Sequence, residues 1–121
     1  MTKAAALKDF FNSFGLTAYP SNAVPNETAY PWITYDVVFD SFGSLPVSCG
    51  VNLYYHTDSE QEPNAKAEEI EKRVGFGGIT IQCDGGFLWI KKGNPFCQSL
   101  NTGEEGEKRR FINLLIEYNT L

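Results

Sequence analysis

Little in this chain is suited to group-transfer chemistry. It holds one histidine, His56, among 121 residues. A nucleophile needs a positioned base, and strand alternation sends Cys49 and His56 to opposite faces, so that pair does not assemble. The three cysteines, Cys49, Cys83 and Cys97, have no CxxC spacing. An odd count argues against a disulfide framework and for a reducing, cytoplasmic origin. No apolar run approaches the roughly 18 residues a membrane helix needs, so a soluble chain without a membrane partner is expected. Asp9 arrives too early for the apolar stretch of a signal peptide. A cationic surplus is missing too: 10 Lys and Arg stand against 15 Asp and Glu, a net charge of -5, which is ill suited to gripping phosphate backbones.

Apolar and aromatic residues are plentiful, at 42% and 14%. A chain of this length makes one domain over residues 1–121, and folding buries roughly two thirds of its extended surface. The charge is uneven. Residues 1–63 carry two cations against seven anions, whereas the rest is balanced and holds Lys91, Lys92 and the Lys108-Arg109-Arg110 run.

Three local patterns take a plain structural reading. Gly75-Phe76-Gly77-Gly78 follows a helix and lacks the lysine of a phosphate loop, so it reads as a helix terminator. Asp58, Glu60 and Glu62 lack the glycine-centred loop of a calcium hand and read as a solvated loop. Asn26-Glu27-Thr28 matches a glycosylation acceptor by chance if the chain is not secreted.

Leu7, Phe10, Phe11 and Phe14 recur at helical spacing and predict a helix over 2–14, capped by Thr2 and ended by Gly15. The prolines of 16–31 predict an irregular, extended connection. Alternation then predicts a strand over 32–40 and a second over 47–56, forming a hairpin. Ala67, Ile70 and Val74 mark a second helix. Ile79, Ile81, Cys83, Leu88 and Ile90 share one face of a second hairpin, whether the loop is Asp84-Gly85 or Gly85-Gly86, because the two registers differ by an even step. Residues 93–107 read as a second long loop. Both long connections are expected to be mobile in the free subunit. The last strand, from about 108, has the apolar density of an interior strand. The predicted fold is therefore α+β: one mostly antiparallel sheet of four to five strands, with both helices on one face.

Trp32, Tyr54 and Trp89 fall on strand faces opposite the main apolar sets, and Phe42, Phe76 and Phe96 lie in or beside loops. Such a set points either to a partner surface or to a second sheet face covered by the 16–31 connection.

Three segments resemble a known family: Tyr19-Pro20-x4-Pro25, then Tyr30-Pro31-Trp32-Ile33-Thr34-Tyr35, and Arg109-Arg110-Phe111-Ile112-Asn113-Leu114-Leu115-Ile116-Glu117-Tyr118. They look like the tail terminator, or neck and tail completion, proteins of long-tailed bacteriophages, sometimes labelled minor capsid proteins. The resemblance implies a small α+β subunit without cofactor or catalysis. Copies would form a ring, typically a hexamer, on the last ring of the tail tube and meet the head connector. DNA would pass through the lumen without specific binding. Assembly would take place in the host cytoplasm, with the virion tail or neck as final location. The alternative reading is another head-tail joining or head completion protein, or a secretion-system adaptor module, of similar strand order, which fold analogy does not separate from the first. A small-molecule enzyme or binding domain is the third class.

A ring needs complementary patches on each subunit. The candidate contact residues are Trp32, Asp36, Asp40, Phe42, Tyr54, Asp58, Trp89, Lys91, Lys92, Phe96 and Arg110. Acids of the first half are expected to face Lys91, Lys92 or Arg110 of a neighbouring copy.

Overall fold

The computed structural model describes residues 1–121. Helix α1 (Lys3–Asn12) starts where the Thr2 hydroxyl accepts from the Ala5 amide at 3.1 Å, satisfying one of the free donors of the first turn. Its apolar stripe is buried, and Phe11 stacks on Tyr35 with ring centroids 4.6 Å apart. Gly15 turns the chain with φ of 85°.

Strands β1 (Thr17–Pro20), β2 (Trp32–Tyr35) and β3 (Val47–His56) precede helix α2 (Gln61–Val74). Strands β4 (Ile79–Cys83), β5 (Gly86–Leu100) and β6 (Glu107–Thr120) complete the chain. They form one sheet in the order β1-β2-β3-β6-β5-β4, curled into a half-barrel. β1 runs parallel to β2, and every other neighbouring pair is antiparallel. The expected sheet of four to five strands is thus corrected to a six-stranded mixed one.

Three local causes account for the difference. First, the proline-rich connection contains β1. The Asn12 side chain accepts from the Ala18 amide at 3.0 Å, and Pro20 ends an edge strand, where its missing donor costs little. Second, β2 stops at Tyr35 instead of continuing to Asp40. The Asp36 amide still donates to Gly50 O at 3.0 Å, but the Asp36 carboxylate, in place of its carbonyl, accepts from the Gly50 amide at 3.1 Å and also from the Ser21 hydroxyl at 2.9 Å, so the side chain takes over half of the last rung and the ladder stops. The chain then leaves β3: the Phe42 amide donates to Thr120 O at 2.8 Å, and Lys3 Nζ donates to Asp40 O at 2.6 Å. Third, β5 continues through Asn94-Pro95 to Leu100. A register shift between Lys92 and Cys97 lets the strand pass the proline and rejoin β6, as bulges do.

β6 lies between β3 and β5. The second hairpin pairs Ile81 with Leu88 and Ile79 with Ile90, the register of the Asp84-Gly85 loop. The inward side chains of β3, β5 and β6 join both helices in a single core cluster that includes Phe11, Val51, Ile70, Ile90 and Leu114. Lys66 Nζ donates to Phe14 O at 2.7 Å, and Arg73 donates to the Ser13 hydroxyl at 3.0 Å, tying α2 to the end of α1. The outer face of the sheet carries no helix.

Candidate functional site

The outer face is built from cross-strand pairs. Trp32 and Tyr54 stand opposite each other in β2 and β3 and stack at 4.9 Å with 19° between the rings. Tyr30 continues the row, 4.5 Å from Trp32 and 5.4 Å from His56. Its hydroxyl donates to the Glu107 carboxylate, and that bond, with smaller contributions from burial and nearby charge, pushes the phenol up to about 12. Arg109 lies over the Tyr54 ring and donates to Asn52 Oδ1 at 2.8 Å. This row partly covers itself: Trp32 Nε1 is buried without a partner.

The structure places the expected cations differently from the charge-pairing idea. Lys91 donates to Glu117 at 2.9 Å and sits 3.8 Å over the Trp89 ring. Lys92 is 3.9 Å from Glu71. Arg110 is 4% exposed. Its guanidinium donates to Glu60 at 2.5 Å and to Asn64 at 2.9 and 3.1 Å. Arg110 is corrected from a contact residue to a buried brace between β6 and the start of α2. All three cations are engaged within their own chain. Among the acids, Asp36 is the cap on Gly50 described above, Asp40 accepts from the Ser41 amide at 2.9 Å, and Asp58 is exposed. Cys49 is buried, its thiol donates to Asp36 O at 3.3 Å, and burial pushes it up to about 12. That is the reverse of nucleophile activation.

The sheet has two chemically different ends. At one, the 37–46 segment folds beside the end of β6 and exposes Val38, Phe39, Phe42 and Leu45, the last two at 75% and 84%. Met1 and Leu121 are exposed at this same end, held to the Asp84-Gly85 turn by backbone bonds. Six of the nine exposed large apolar side chains therefore gather at one pole, whereas scattered single residues are the norm. At the other end lie Asp58, Glu60, Glu62, Glu104, Glu105 and Glu107, near the ends of β3 and β5 and the start of β6; Lys108, Arg109 and Arg110 lie there too, with Glu60 paired to Lys108 and Arg110, so the acids remain in excess. Of the expected residues, Phe42 belongs to the apolar pole and Asp58 to the acidic one.

A third feature lies on the β4–β5 flank. β4 pairs with β5 only as far as Ile90, and beyond it a groove of about 400 Å³ opens between α2 and β5. Asn64, Ala67, Glu68, Glu71, Phe96 and Cys97 line it, so the expected residue Phe96 forms part of a concave surface. In the turn between α2 and β4, Phe76 is fully exposed. By sequence it belongs with the loop aromatics that point to a partner surface, though not with the candidate contact residues, and its flanking glycines are a further signal of a presented side chain.

No protein-family model, curated protein or solved structure matches this chain.

Proposed function

We propose that the chain is a structural ring subunit, the tail terminator of a long-tailed phage, which closes the tail tube at its head-proximal end and meets the head connector. One observation carries the reading: the subunit has an apolar pole and an acidic pole at opposite ends of one sheet. A ring of such subunits has two chemically distinct mouths, as a joint between two different partners requires. The segments that resemble the tail terminator family supply the specific assignment. A net charge of -5 also fits a channel through which DNA moves without being held.

The test is to mix the protein with the matching tail tube protein and measure tube lengths by negative-stain microscopy. Short tubes of uniform length carrying a ring at one end are expected. Tube lengths unchanged by the added protein would sink the reading.

A further inference from the structure

The β4–β5 flank carries a knob and a hole side by side. The knob is Phe76, on a tip that is anchored. Trp89 Nε1 donates to Gly77 O at 2.9 Å, the Gly75 amide donates to Glu71 O at 2.9 Å, and Gly75 and Gly78 turn the chain with φ of 76° and 83°. A side chain held out on a fixed tip loses little freedom when it is buried, which favours binding. The hole is the groove between α2 and β5. It is an open groove of about 400 Å³ on the surface. Ala67, Phe96 and Cys97 are its apolar lining, and Glu68 and Glu71 its acidic lining.

Phe76 is fully exposed and so fills no pocket of its own chain. Both features open on the same flank, because the tip leads into β4 and the groove lies beside β5 where β4 has not yet begun. A two-fold axis between them brings each knob to the other copy's hole, and a contact made twice is the usual form of a symmetric dimer. In that arrangement the two α2 helices run antiparallel. Lys72, one turn before Phe76, then approaches Glu68 and Glu71 of the partner. Lys72 is exposed, and neither it nor Glu68 makes an ion pair within the chain.

We propose that the free protein forms a two-fold dimer in which Phe76 of each copy fills the α2–β5 groove of the other. This contact closes at two copies, so it is distinct from any contact that builds a ring and does not rest on the tail reading. Sedimentation of the full chain over a range of concentrations should show a monomer–dimer equilibrium. Phe76→Ala should raise the dissociation constant at least about thirtyfold while leaving circular dichroism unchanged, and Tm unchanged at concentrations where both proteins are monomeric. Lys72→Glu should weaken pairing less, and added salt should weaken pairing of the wild type. Phe76→Cys supplies a covalent readout, since Cys97 lines the groove. Mild oxidation should give a dimer band that disappears when Cys97→Ser is added. A wild type that stays monomeric, a Phe76→Ala variant that still dimerises, a crosslink that survives Cys97→Ser, or a ladder beyond two would each overturn the proposal. Tube capping reports separately on the tail reading.

Discussion

At the scale of single residues, the informative positions are those where a side chain replaces a backbone partner or where none fits. Gly78 is one. A Cβ there would lie 2.6 Å from Trp89 Nε1 and 2.7 Å from Ile90 O, at a φ of 83°. Gly78→Ala is therefore expected to cost about 1–3 kcal/mol in chemical denaturation through backbone strain, and to loosen the tip that holds Phe76. The Arg110 brace gives a second case. Asn64 accepts two of its donors, so Asn64→Ala should cost about 1–3 kcal/mol by leaving part of a buried guanidinium unsatisfied. Glu60 gives the brace its pH dependence. The hydrogen bond from Arg110 is the main cause holding its carboxyl below the ordinary glutamate value; desolvation opposes it, and the charges of Arg110 and Lys108 add to the lowering. A depressed folded-state pKa contributes stability above the unfolded value, lost as pH falls through the folded one. The Tm difference between wild type and Glu60→Gln should therefore be largest near neutrality and close on acidification. A difference that persisted in acid would show that the contact is not ionic.

At the scale of elements, what the sequence made legible depended on whether the cause was local. α1, α2 and the β4–β5 hairpin follow from helical spacing, caps and a glycine turn, all contained within each segment. β1 has four residues and ends in proline, and only the Asn12 side chain and a parallel partner 15 residues later make it a strand. β5 hides behind Asn94-Pro95 and a polar Gln98-Ser99, and its continuation depends on pairing with β6. The end of β2 depends on Asp36 reaching Gly50. Arg110 lies in a basic run whose local sequence carries no sign of burial, yet Glu60 and Asn64, 46 to 50 residues away, bury it. Outward aromatics such as Trp32 and Tyr54 were legible because alternation alone places them. The element on which the rest closes is α1, whose Phe11 is fully buried against Tyr35. Phe11→Ala should cost about 3–5 kcal/mol. Phe42→Ala, at the exposed pole, should change stability by no more than about 0.5 kcal/mol. Equal costs would mean that the 37–46 segment packs as core.

At the scale of the whole molecule, the separation of the two poles is the property that matters. The strands of the sheet run between them, so substitutions at one pole share no contact with those at the other, and effects of distant, unconnected sites add independently. Two double variants exploit this. Phe42→Asp with Leu45→Asp places charge on the apolar pole, and Glu104→Lys with Glu105→Lys reverses the acidic one. All four positions are exposed, so each variant should keep the wild-type circular dichroism. In a reconstitution that scores tube capping and attachment of the connector separately, each pair should abolish one joint and spare the other. Combining the pairs should remove both. If either pair alone removed both joints, the poles would not act as separate docking surfaces, and the two-mouthed ring would lose its physical basis even with the fold intact.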